Sequence, residues 1–152
     1  MASAMDGVTD VKFCIEMGKL GGVAVLNLEG VQTRYKDPAE VLDRIANASK
    51  EESTHLVQKV YLEPIQEELI AARVREIKAS GAICAVSSIP QKAERYGAIA
   101  QEAGCDIFVV QSTVSTVRHI STEHQTLDIA GFCKRMNIPV VIGNTVTYSA
   151  TL

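Results

Sequence analysis

Residues 81–112 read GAICAVSSIPQKAERYGAIAQEAGCDIFVVQS, and the alternation inside this stretch decides the fold. Two apolar runs, Ala82–Ser87 and Ile107–Gln111, are short and continuous rather than alternating, which suits strands of a parallel sheet covered on both faces. Between them the residue spacing predicts a helix over about Gln91–Ala103, stopped by Gly104. Strand, helix, strand in this order is a right-handed βαβ unit.

The same alternation extends in both directions. Upstream, Val23–Leu28 reads as a further buried strand, and downstream so does Pro139–Gly143. A helix over about Glu67–Ser80 places Leu69, Ile70, Val74 and Ile77 on one face and stops at Gly81. Asp37, Pro38 and Glu40 read as a helix start, with an N-cap, a proline at the first helical position and a reaching acid at the third. Val41, Leu42 and Ile45 then form its apolar face. Thr9–Gly18 is helical with Val11, Cys14 and Met17 inward, and about Leu127–Met136 forms a last helix before Asn137 and Pro139. The interval from Glu29 to Gly81 is too long for one crossover, so extra helical material is expected there. The predicted order is α-β-α-α-β-α-β-α-β. It opens on a helix behind MASAMDG and closes at TYSATL, so both ends read as cuts in a larger sheet with unprotected edges.

Composition narrows the function classes. Of 152 residues, 47% are hydrophobic and 22% charged, with a formal net charge of -3, so nucleic acid, which needs a clustered basic face, is not an expected partner. No apolar run approaches the roughly 20 residues of a membrane span, and the first residues carry acids rather than a basic and apolar leader, so the expected address is cytoplasmic. The four cysteines, Cys14, Cys84, Cys105 and Cys133, have no two within four residues of each other. They form no redox or zinc motif and read as structural thiols. His55, His119 and His124 read as solvated surface side chains.

In a parallel β/α arrangement, chemistry sits on the loops that follow the strands. Here those loops are Ser3–Gly7, Asn27–Gly30, Ser87–Pro90, Gln111–Thr113 and Gly143–Thr145. They are rich in small polar side chains suited to a sugar or a base. No GxGxxG fingerprint and no catalytic constellation is visible, and Gly21-Gly22 reads as a helix stop rather than a phosphate nest. The residues alone support a small polar ligand on a partial α/β barrel.

Residues 2–9, ASAMDGVT, resemble the (S/A)SPMDxVT motif that closes the first strand in the IMP dehydrogenase/GMP reductase family, with Ala4 in place of proline. GKLGGVAVLNLEG matches the glycine pair that opens the family's second strand. NLEG followed by Thr33, Arg34, Tyr35, Asp37 and Pro38 resembles the IMP dehydrogenase-related branch without the regulatory tandem-CBS insert. The resemblance continues through REIKASGAICAVSSIPQKAERYGAIAQEAGCDIFVVQSTV to IPVVIGNTVTYSATL. It implies that residues 1–152 are an incomplete (β/α)₈ TIM barrel domain, running from the end of strand one through strand five.

The implied function is purine-nucleotide oxidation from IMP to XMP with NAD (or NADP) as cofactor, in guanine nucleotide biosynthesis. The GMP reductase direction is an alternative, and so are a non-catalytic half-barrel assembly partner and a different phosphate-binding barrel enzyme. The resemblance places Ser3, Met5, Asn144 and Thr145 at substrate-binding positions and Gln111, Ser112 and Thr113 at the nicotinamide ribose. It also implies a homo-oligomer for the full-length parent. An acid usually stands where Gln111 is, and a histidine pair where Asn27 and Leu28 are. No catalytic residue is expected here, because the family's cysteine follows a later strand. Two competing readings remain: a frayed N-terminus for Ser3 and Met5, and helix capping for Ser112 and Thr113.

Overall fold

Helix starts in this chain are set by short side chains that accept from otherwise unpaired backbone N–H groups. In the computed structural model, which describes residues 1–112 and 127–145, Asp10 caps α1 (Val11–Lys19) by accepting from Phe13 N at 2.6 Å. Asp37 caps α2 (Pro38–Ala46) through Glu40 N at 3.2 Å. Ser49 Oγ accepts from Glu52 N and donates to the Glu52 carboxylate at the start of α3 (Lys50–Leu62). Gly81 and Gly104 follow α4 (Glu67–Ala79) and α5 (Pro90–Glu102) at φ +81° and +99°, a backbone region that glycine enters without a Cβ clash. The α1 start corrects the expected one: Asp10 is the cap, and the buried Thr9 hydroxyl instead donates to the Ser3 carbonyl at 2.9 Å.

Four strands, β1 (Val25–Asn27), β2 (Ala85–Ser88), β3 (Ile107–Gln111) and β4 (Val140–Gly143), pair in chain order, and every pairing is parallel. A short α6 (Ile129–Arg135) precedes β4. Registers such as Leu26↔Val86↔Phe108↔Val140 define rows across the sheet. That row points outward, and with Leu28, Val110 and Ile142 it packs on Val11 and Cys14 of α1, Ile70, Val74 and Ile77 of α4, Tyr96 and Ala100 of α5, and Phe132 of α6. Phe108 meets Phe132 edge to face at 5.8 Å between ring centroids. The intervening rows face the other way: Val25, Val109 and Val141 line an open concave cleft, and Val141 is 46% exposed. Helices on one face and an open concave face on the other give an α/β fold with the form of a partial barrel.

The long interval after β1 holds a 3₁₀ turn at Val31–Thr33, then α2 and α3. It builds a satellite core of Val31, Val41 and Val60, which Tyr35, Leu42, Ile45 and Leu56 pack against. Arg73 of α4 ties this insert down by donating to the carbonyls of Gln32 (3.0 Å) and Lys36 (2.8 Å). The N-terminus is not frayed. Ala2 N donates to Val23 O at 2.8 Å and Val25 N to Ala2 O at 3.1 Å, so Ala2 pairs in parallel beside β1 as the end of a preceding strand would. Met5 O accepts from Val8 N and Thr9 N, closing the following turn. Among the described residues no helix is long and apolar enough to cross a membrane.

Candidate functional site

Side chains alternate along a strand, so the concave face changes character where the strands end. At its N-terminal end it presents Val25 and Ala85, and one row further on Asn27 and Ser87. The next inward positions bring Glu29, Gln111 and Gly143. The result is a polar cleft of about 360 Å³ over the strand C-termini, lined by Ala4, Asn27, Glu29, Ser87, Ser88, Ile89, Gln111, Ser112 and Asn144. A second cleft of about 330 Å³ adjoins it and carries Ser3, with Ala4, Gln111 and Asn144 common to both.

The polar cleft is held open by a pinned backbone. Ser112 N donates to Gly143 O at 2.9 Å and Asn144 N to Ser112 O at 3.2 Å, extending the β3–β4 ladder beyond the strands. Leu28 N donates to Ser87 O at 2.9 Å. Glu29 N donates to Asn27 Oδ1 at 2.9 Å, and its carbonyl accepts from Arg34 Nη2 at 3.1 Å. Its carboxylate reaches across the mouth of the cleft: Oε1 accepts from Ile89 N at 2.7 Å and from Ser88 Oγ at 2.9 Å. The exposed N-terminus of α5 is thus capped by an acid 60 residues away in sequence.

A second carboxylate fixes the N-terminal turn. Asp6 accepts from Val31 N at 3.0 Å and from the Tyr61 hydroxyl, and Arg34 lies over the Tyr61 ring at 5.4 Å. Burial, reinforced by the Asp6 hydrogen bond, pushes the Tyr61 phenol up to about 12. Asp6 therefore couples the turn bearing Ser3 and Met5 to the insert after β1.

The cleft collects Gln111, Ser112 and Asn144 of the positions named from sequence, and Ser3 lines the adjoining one. Met5 is 49% exposed and lines neither cleft, and neither does Thr145. Thr113, His119 and His124 lie outside the described residues, as does any helix that Ser112 and Thr113 would cap, and His55 is exposed on α3. Glu29, Ser88 and Asp6 lie in the loops named from sequence but were not singled out there. Glu29 was legible as the next inward position after Asn27; Asp6 could be found only through its partners 25 and 55 residues away.

No cysteine lies at the cleft. Cys84 and Cys105 precede β2 and β3 at the opposite end of the sheet, where Asp106 receives Cys84 N at 2.7 Å and the Lys78 ammonium at 2.8 Å. A hydrogen bond with Cys105, together with burial, pushes the Cys84 thiol above its ordinary range, and burial pushes Cys14 up to about 11. Cys133 is exposed on α6. Among the described residues no cluster of His, Cys, Asp or Glu could hold a metal ion.

Parallel strands in chain order and helices on the convex side define the class, a partial (β/α)₈ barrel, and the polar cleft lies at the strand C-termini, the end where such barrels carry their sites. Comparison with known proteins narrows this further. The chain superposes on an IMP dehydrogenase/GMP reductase-like protein of Corynebacterium glutamicum with a TM-score of 0.89 and 30% sequence identity, over 99% of this chain and 40% of that one. It is 32% identical over 158 residues to a Mycobacterium tuberculosis protein and 29% identical over 157 residues to one from Mycolicibacterium smegmatis, both described only as uncharacterized oxidoreductases. The chain spans 42% of the length of these curated relatives. No family model matches it.

Proposed function

We propose that this chain forms the front part of a purine-nucleotide oxidoreductase barrel and that the polar cleft over β1–β4 is where nucleotide and dinucleotide meet. The observation that carries this reading is the convergence of Asn27, Ser87, Gln111, Ser112 and Asn144 in one cleft, in a chain that superposes on an IMP dehydrogenase/GMP reductase-like protein. Ser3 and Asn144 serve the purine nucleotide, IMP or GMP. Gln111 and Ser112 serve the ribose of the nicotinamide cofactor.

The donor set fits such a group. Neutral amides and hydroxyls match ribose hydroxyls, and among the described residues the cleft holds one carboxylate, Glu29, where the family's acid at the position of Gln111 is lacking. When bound, NAD would supply the hydride acceptor for IMP oxidation; the alternative GMP reductase reaction, a reductive deamination that releases ammonia, would draw on the reduced cofactor at the same cleft. This chain's own residues orient the two ligands. None of this chain's cysteines is placed to attack a ligand in the cleft, since Cys14, Cys84 and Cys105 are buried and Cys133 sits on an outer helix; the resemblance puts the family's nucleophile after a later strand.

Isothermal titration of the purified chain with IMP and GMP, with inorganic phosphate as control, tests the reading. Saturable binding of either nucleotide and none of phosphate is expected; indifference to both nucleotides overturns it. Assays of IMP with NAD and of GMP with NADPH, followed by NADH or NADPH absorbance, are expected to show no turnover by these 152 residues alone. Sustained turnover that is lost on replacing any one cysteine would show that the site has been misplaced.

A further inference from the structure

Arg34 lines neither cleft, yet its side chain joins the parts that hold one wall of both. Its Nε and Nη2 donate to the Glu29 carbonyl at 3.3 and 3.1 Å, and its Nη1 donates to the Glu63 carbonyl just beyond α3. The guanidinium lies over the Tyr61 ring at 5.4 Å, within cation–π range. The Tyr61 hydroxyl in turn donates to Asp6, in the turn that follows Ser3 and Ala4. The Arg34 backbone is itself fixed, because its carbonyl accepts from Gln66 Nε2 at 2.6 Å. Gln66 N donates to the neighbouring Thr33 carbonyl at 2.8 Å. One half-buried side chain thus ties Asn27 and Glu29, which line the polar cleft, and the turn behind Ser3 and Ala4, to the end of α3.

The element at the other end of this tie has little core of its own. Val41 is the buried residue of α2 and Val60 that of α3, and Val31 completes their satellite cluster. Segments with few buried apolar contacts open locally at low free energy. When α3 is seated, Arg34 holds the Glu29 backbone and, through Tyr61, the Asp6 turn, so the cleft wall is ordered before a ligand arrives. When α3 lifts, Glu63 and Tyr61 leave the guanidinium and the wall loosens, which lowers affinity. Lysine cannot replace the clamp, because the bonds to Glu29 and Glu63 need the planar fork of a guanidinium. We infer that Arg34 is a positioning residue through which the α2–α3 insert controls nucleotide affinity at the cleft. This rests on the nucleotide reading of the cleft and adds to it a means of regulation.

Arg73 supplies the matched control. It also ties the insert to the body, but its bonds go to the Gln32, Tyr35 and Lys36 carbonyls and to Glu76, not to Glu29, Glu63 or Tyr61. The test is calorimetric titration of IMP into the chain, Arg34→Lys and Arg73→Lys, with a urea midpoint for each. Arg34→Lys should weaken IMP on the order of tenfold, within the usual range of coupling between two sites. Arg73→Lys should lower the urea midpoint and leave IMP affinity at the parent value. In the isotope-labelled chain the Tyr61 ring signal should move at saturating IMP, and it should stay in place in Arg34→Lys. Tyr61→Phe, which keeps the ring and removes only the bond to Asp6, should weaken IMP by less than Arg34→Lys, and it decides the matter if Arg34→Lys does not fold. Parent affinity in Arg34→Lys, or in Tyr61→Phe where that variant decides, overturns the inference, as does an equal loss of affinity in Arg73→Lys. If IMP binds and ignores Arg34, only this inference fails. If the unaltered chain does not bind IMP, the nucleotide reading fails with it.

Discussion

Replacing Gly30 by alanine should cost stability for a reason that lies 24 residues away. Gly30 has φ -93° and ψ -162°, extended backbone that alanine adopts without strain. Its missing Cβ matters because the Asp6 carboxylate occupies that space, so a methyl group there must evict Asp6. Eviction breaks the bonds from Val31 N and from the Tyr61 hydroxyl. A hydrogen bond to a charged group contributes about 1.5–3 kcal/mol. With Asp6 half-buried and free to re-hydrate, the expected loss is about 2–3 kcal/mol, read as a lower urea midpoint at unchanged m. Asp6→Ala should lose a similar amount. In the double variant the methyl group meets no carboxylate, so it should be no less stable than Asp6→Ala alone, giving a coupling of about 2 kcal/mol. Additive losses, or a Gly30→Ala variant as stable as the parent, would refute this reasoning.

Other outcomes follow from particular contacts. Phe108→Ala empties a fully buried site beside Phe132 and should cost about 3–5 kcal/mol in urea denaturation; a loss below about 1 kcal/mol would mean that the sheet and α6 do not pack as described. Tyr61 is raised from its ordinary 10.0 to about 12, so folding favours its protonated form. Its stabilisation is complete below pH 10 and is lost as pH rises from 10 toward 12. Urea midpoints measured across that window should fall more steeply for the parent than for Tyr61→Phe, and parallel curves would exclude the assignment.

Much of the framework was legible because it is written in local pattern. The strand read as Ile107–Gln111 has those bounds in the structure, and Gly81 and Gly104 stop their helices as expected. The strand read as Val23–Leu28 is shorter, since Ala24 meets only the isolated Ala2 bridge. Helix α3 was anticipated only as extra helical material. Most of it is solvated, and Val60 is its one buried residue, so it lacks the apolar stripe that would reveal it. Between a frayed and an ordered N-terminal turn the sequence left the choice open, because the turn is held by Val23, Val25, Val31 and Tyr61, which no local pattern connects to Ala2 or Asp6. Met5 and Thr145, carried over from motif position, fall outside the clefts, whereas Glu29 enters through strand parity.

The central claim is that the loop ends of β1–β4 form one nucleotide site. The most direct measurement is a titration of the isotope-labelled chain with IMP, followed by amide chemical shifts. Saturable shifts are expected at Asn27, Ser87, Gln111, Ser112 and Asn144, with Lys78, Cys84 and Asp106 at the far end of the sheet unmoved. Shifts confined to that far end or to the outer helices, or no saturable shift at any residue, would contradict the claim.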